Sequence, residues 1–246
     1  MDHDADDRWQ DDPRTGPETI RSVPADGDAG PVTLVGVVHD HPASAHRARA
    51  VVNAADPAVV ALELPPLSLP LFRRYADDDT VPPEHGGEMS AAIQAAGDRE
   101  VVGIDLPQTD ATTTLWRRLR ETWPSIRTAA GVVRTLATVS AHAAWCRAAA
   151  AWGRLFGTPP AVDDPVTHDC SRSDPPAEQA ADEARIRTAE SALLGAVAAP
   201  HVTVLDEARE ATMAAALAAH RATGPVVAVV GFGHLDAVAD RLRDWR

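Results

Sequence analysis

Four short apolar runs organise the chain: PVTLVGVVH (31–39), AVVALEL (58–64), EVVGIDL (100–106) and PVVAVVGFGH (225–234). Each is rich in valine and lacks the strict in–out alternation of a half-solvated strand, which predicts strands buried on both faces of a parallel sheet. Helical spacing separates them. One helix is predicted from Ser44, as N-cap, to Pro57, and a second from about Glu88 to the stop at Gly97. Pro65, Pro66 and Pro70 mark a loop, and residues 76–87 a polar one. Strand, helix, strand, helix, strand predicts right-handed crossovers. From Ala111 to about Phe156 the pattern is helical, with Pro124 dividing two helices. Trp116, Leu119 and Trp123 form one stripe and Trp145, Ala148, Trp152 and Leu155 another, the spacing of helix-packing faces. Residues 157–176 read as a flexible loop and 177–198 as a helix. A further helix, capped by Asp206, is predicted to run to about Ala222, and a short one follows the last strand.

The expected fold is therefore α/β, a central mainly parallel sheet flanked by helices, with an all-helical middle segment over 111–199. Residues 1–30, rich in Asp, Pro and Gly, are expected to be a disordered acidic tail, and 31–246 a single domain. No internal repeat of domain-building length is visible.

Composition adds an environment. Acidic residues number 36 against 23 basic ones, all of them arginine, for a net charge of -13. The acidic excess with abundant alanine predicts a protein of an extreme halophile, a haloarchaeon with a salt-filled cytoplasm. Nucleic acid is excluded as an expected partner, because no basic run breaks the acidic background. No apolar stretch approaches the ~18 residues of a membrane span, and the acidic start MDHDADDRWQDD lacks the features of a signal peptide. The expected location is cytoplasmic and away from membranes. Cys146 and Cys170 form no CxxC pair and suggest neither a disulfide framework nor a zinc site. The tryptophan-rich helices leave self-association open.

The chemistry lies at the strand ends. Gly36-Val37-Val38-His39 closes the first strand and Gly231-Phe232-Gly233-His234 the last. In open parallel sheets the carboxyl ends of strands line the ligand crevice, so two histidines there are expected to share one site. Glu63 ends the second strand between two leucines, where a carboxylate is costly unless paired, protonated or metal-bound. Glu88 opens a helix, which suits a carboxylate for dipole reasons alone as well as for function. Asp105 closes the third strand. Asp40, His41 and His85 read equally as loop decoration. Two histidines with a carboxylate suit a divalent metal, Mn, Co or Zn, which would lower the pKa of a bound water. No nucleophile elbow, P-loop or dinucleotide fingerprint is present.

Several segments, in order, resemble the TraB/PrgY family, related to the TIKI and GumN proteins. They are GVVH with Ser44, DPAVVALEL with Glu63, GGEMSAAIQAA (86–96), VVGIDLP with Asp105, AREATMAAAL with Arg209 and Met213, and VVAVVGFGH. Together they cover most of 32–240. The resemblance implies a sheet related to the erythromycin-esterase and ChaN-like group (EreA/ChaN-like). It implies metal-dependent peptidase activity as in the TIKI branch, or binding of a peptide signal as in PrgY. It points to His39, Glu63, Glu88, Arg209 and His234 as functional. Ser68, Leu106 and Ala208 stand where the family often has arginine, arginine and an acidic residue, which weakens expectations about substrate recognition. The membrane helices that follow the domain in many archaeal members have no counterpart here.

Two readings follow. In the first, a divalent-metal-dependent hydrolase cleaves a peptide or amide bond. His39, His234 and Glu63 are metal ligands, Glu63, Glu88 and Arg209 are catalytic, and Asp105 and Arg209 bind substrate. In the second, the same cleft sequesters a peptide or small-molecule ligand without turnover.

Overall fold

A computed structural model of the protein describes residues 11–107, 125–157, 159–162, 166–197 and 200–245. Its centre is one five-stranded sheet: β1 (Ile20–Val23), β2 (Val32–Val37), β3 (Val59–Leu62), β4 (Glu100–Gly103) and β5 (Val226–Gly231), in the order β1-β2-β5-β3-β4. β2, β5, β3 and β4 run parallel, and β1 is antiparallel to β2. The chain is thus α/β with a mainly parallel sheet flanked by helices.

The valine runs explain the layering. In β5, Val226, Ala228 and Val230 face one side and Val227 and Val229 the other, and every one is buried. That is the period-2 alternation of a strand covered on both faces. On one face lie α1 (Pro42–Ala55) and α3 (Gly87–Ala96), through Ala48, Val51, Val52, Met89 and Ile93. On the other lie α6 (Pro200–His220) and α7 (Phe232–Arg243), through Met213, Leu217, Leu235 and Val238. Between them in the chain come α2 (Leu69–Ala76), α4 (Ile126–Phe156) and α5 (Pro176–Val197).

Several sequence expectations need correction. Residues 11–30 are not a disordered tail. Two 3-10 turns lead into β1, which pairs with β2 from Ile20↔Val35 to Val23↔Val32. Four strand residues are too few to show a period, and backbone pairing with an available sheet edge supplies the order. Residues 1–10 lie outside the described residues, as do Trp116, Leu119, Trp123 and Pro124. The proline-marked loop contains α2, with Pro70 in its first turn, where a missing N–H costs nothing. The N-cap of α1 is His41 rather than Ser44: its Nδ1 accepts the Ala43 N–H at 3.1 Å. Asp206 lies inside α6 instead of capping it. β5 ends at Gly231, so His234 sits in the first turn of α7.

The Trp145–Leu155 stripe does not pack. Trp145, Trp152 and Leu155 are 56%, 55% and 77% exposed, and α4 is buried instead through Val132, Ala143, Cys146, Ala149 and Ala150. Cys146, Ala149 and Ala150 meet Leu71 and Tyr75 of α2. An alanine face admits close helix approach, which bulky indoles would prevent; periodicity alone does not say which face is used.

Candidate active site

All four parallel strands present a polar residue at or just beyond their carboxyl ends: His39 after β2, Glu63 after β3, Asp105 after β4 and His234 after β5. This edge is where a doubly covered parallel sheet leaves space for a ligand. The structure gathers the four into two linked clusters.

The first cluster is His39 with Glu88. His39 Nδ1–H donates to Glu88 Oε1 at 2.7 Å, and the Asp40 N–H donates to Oε2 at 2.9 Å. The carboxylate side chain is 2% exposed and the imidazole 60%. Two glycines aim this carboxylate. Gly86 and Gly87 have φ of 79° and 50°, the left-handed region, and a Cβ on Gly87 would lie 2.5 Å from Asp40 Oδ1. They let α3 begin directly beneath the His39–Asp40 turn, with Glu88 in its positively polarised first turn. The Glu88 hydrogen bond and charge, with help from Glu63 and Asp40, outweigh desolvation and push the His39 pKa up to about 9. His39 is therefore an imidazolium at neutral pH. Among the described residues its Nε2 has no hydrogen-bond partner, and the ring lines a cavity of about 430 Å³. Glu63, Glu88, Tyr75, His85, His142 and Arg172 line the same cavity.

The second cluster centres on Arg209 of α6. Its Nη2 donates to Glu63 Oε1 at 2.5 Å and to Asp105 Oδ2 at 2.8 Å, and its Nε donates to Asp105 Oδ1 at 3.0 Å. Its Nη1 donates to His234 Nε2 at 2.9 Å, so His234 carries its proton on Nδ1, which faces Glu210 Oε1 at 3.4 Å. Burial opposes the guanidinium charge, but the Asp105 hydrogen bonds and the carboxylates together outweigh it and raise its pKa. The second Glu63 oxygen accepts the Gly231 N–H at 2.6 Å. Glu63 thus joins the clusters: it lines the His39 cavity while Arg209 and β5 hold it. Asp105, Asp206 and Arg209 line a smaller, mainly apolar pocket of about 260 Å³ with Leu106, Leu136, Val139 and Leu205.

The expected ligand set of His39, Glu63 and His234 does not fit a metal in this arrangement. A cation on His234 Nε2 and Glu63 would lie against the Arg209 guanidinium, whose N–H groups already occupy both. The residues that could hold a metal ion are others. Among the described residues, His41, Cys170 and Asp182 place their ligand atoms within 4.8 Å of one another. His41 is fully buried and Asp182 is 4% exposed, so the reading of His41 as loop decoration is corrected. Burial lowers the His41 pKa and, with Asp182, pushes the Cys170 thiol up to about 11. This group was invisible in sequence because its members are 41, 170 and 182. Gln179, Asp182 and Glu183 lie at helical spacing on one face, and in the structure all three are buried. Periodicity assigns such a polar face to solvent. Glu183 instead pairs with the fully buried Arg47 at 2.5 Å and with the Ser44 hydroxyl at 2.5 Å.

Comparison with known protein families, with curated proteins and with solved structures returns no match, so the site is read from its own chemistry.

Proposed function

We propose that the protein is a hydrolase that cleaves a peptide or amide bond of a small substrate, in the manner suggested by the resemblance to the TraB/PrgY family. One observation carries the reading: His39, its Nδ1 hydrogen-bonded to buried Glu88, faces the same cavity as the carboxylate of Glu63. An acid and a base of opposite charge around one cavity are the two proton-handling groups hydrolysis needs. His39 Nε2–H donates toward the leaving nitrogen, and Glu88 stabilises the charge it carries beforehand. Glu63 takes the proton of the attacking water. Arg209 does not touch that proton; it holds Glu63 in place and matches its charge together with that of Asp105. Its position at the smaller pocket also suits it to orient a substrate carboxylate. No step runs through a metal at His39 and His234. A divalent ion would be held instead by the His41 group, whose thiol and imidazole would favour Zn or Co over Mn.

Sequestration without turnover is the second reading. The 60% exposure and positive charge of His39 favour it, since both suit an anchor for a peptide carboxylate. Hydrolysis of a panel of short peptides and amides at high salt separates the two. The hydrolase reading expects turnover that His39→Ala and Glu63→Gln each reduce at least about a hundredfold, and that declines as pH rises through about 9. Binding of a panel peptide with no product, and equal affinity in Glu63→Gln, would leave sequestration as the function.

A further inference from the structure

One wall of the cavity is irregular. Residues 166–175 form neither helix nor strand, yet they lie across the His39–His41 turn. The Val166 N–H donates to Asp40 Oδ2 at 3.1 Å, and His168 Nε2–H donates to the His39 carbonyl at 2.9 Å. Arg172 donates to the carbonyls of Pro82 and Pro83 at 3.1 and 2.7 Å, and Val166 and Arg172 both line the cavity. Most of its residues are exposed, so its position depends on polar ties. In its middle Cys170 turns inward. Sγ lies 3.4 Å from His41 Nε2, and Asp182 Oδ2 lies 3.3 Å from the same nitrogen.

We propose that His41, Cys170 and Asp182 form a structural metal site for zinc or a similar borderline ion, which pins the 166–175 wall to the turn carrying His39. Three sequence-distant elements supply one donor each: the N-cap of α1, the irregular wall and α5. Nitrogen, sulfur and carboxylate oxygen are the donor types such an ion takes, and a thiolate selects against hard ions. A nucleophilic triad is a poorer account. Cys170 and Asp182 approach the same ring nitrogen, whereas a triad requires one partner on each. The remaining contacts allow the exchange. Asp182 spends its other oxygen, Oδ1, on the exposed Arg185, leaving Oδ2 turned to the group. On binding, the Cys170 thiol releases its proton to solvent and its sulfur bonds the ion. His41 presents Nε2, and its ring proton moves to Nδ1. Nδ1 then turns from accepting the Ala43 N–H toward donating to Glu183 Oε1, now 3.9 Å away. A carboxylate behind a metal-bound imidazole is the usual outer partner. His168 flanks the group, its ring edge-on to His41 with centroids 4.7 Å apart.

This site stands whether or not the cavity proves hydrolytic, and its test reads binding rather than activity. The full-length protein, freed of metal by chelation and dialysis, is titrated with Co²⁺ in high salt and followed in the near ultraviolet. Stoichiometric uptake with a thiolate-to-cobalt charge-transfer band is expected. The band is lost in Cys170→Ser and kept in Cys146→Ser, and Asp182→Asn weakens uptake at least about tenfold. Amide exchange of residues 166–175 slows on Zn²⁺ addition in wild type. Circular dichroism establishes that each variant is folded; should Cys170→Ser fail that check, the Asp182→Asn affinity decides. Absence of a thiolate band in wild type, its persistence in folded Cys170→Ser, or undiminished affinity in Asp182→Asn overturns the proposal.

Discussion

Replacing Glu88 by Gln tests the pairing that defines the site without removing its shape. Glutamine can keep both contacts: its Oε1 accepts the Asp40 N–H, and its amide N–H donates to His39 Nδ1. The second contact requires Nδ1 to be unprotonated, so the ring is pushed to the neutral Nε2–H form. The main cause of the elevated His39 pKa, the Glu88 hydrogen bond and charge, is then gone, and desolvation is opposed only by the charges of Glu63 and Asp40. The expected result is a pKa that falls from about 9 toward the ordinary value of 6.5. The sign for stability follows. A folded-state pKa above the unfolded one stabilises fully below pH 6.5, and that contribution is lost as pH rises through about 9. The gap between wild type and Glu88→Gln should therefore be wide at pH 6 and narrow as pH rises through about 9. Its size is about 1 kcal/mol, the scale of an ion pair with a solvated partner, since the imidazole is 60% exposed. Histidine C–H chemical shifts against pH, assigned with His39→Ala, measure the first effect, and denaturant unfolding at pH 6 and pH 9 the second. A His39 that titrates at its ordinary value in wild type, or near 9 in Glu88→Gln, refutes the reasoning.

Three further outcomes are expected. Arg209→Ala removes the cation that pairs with the nearly buried Glu63 and one partner of Asp105, and should lower unfolding free energy by about 3 kcal/mol; a loss under about 1 kcal/mol in chemical denaturation would contradict the network. Glu183→Ala strands the fully buried Arg47 and should cost about 3–5 kcal/mol, whereas Arg47→Met with Glu183→Leu should recover most of it; equal Tm losses in both would refute this. Gly87→Ala combines an unfavourable φ of 50° with a Cβ 2.5 Å from Asp40 Oδ1 and should cost about 1–3 kcal/mol, with His39 titrating nearer its ordinary value as Glu88 shifts; an unchanged His39 titration would separate Gly87 from the site.

Periodicity located four of the five strands, because strands buried on both faces need near-continuous valine runs. It missed β1, whose order comes from a neighbouring edge. It missed α2, because prolines read as loop whether they precede a helix or enter its first turn. It placed tryptophans 145 and 152 in a packing face although the alanines beside them do the packing. The strand-end residues His39, Glu63, Asp105 and His234 were legible because parallel topology sends every strand's carboxyl end to one edge.

What the sequence determined by itself was this edge, its inventory of polar groups and the two glycines that aim Glu88. Local covalent constraints and strand direction suffice for that. Tertiary structure decided the pairings. His39 belongs to Glu88, while His234 faces Arg209, so the two histidines expected as joint metal ligands have different partners. The group able to hold a metal joins positions 41, 170 and 182, on three elements that only the packed fold brings together. Spacing along a chain encodes neighbours on one helix or strand; which side chains meet across elements depends on how those elements stack.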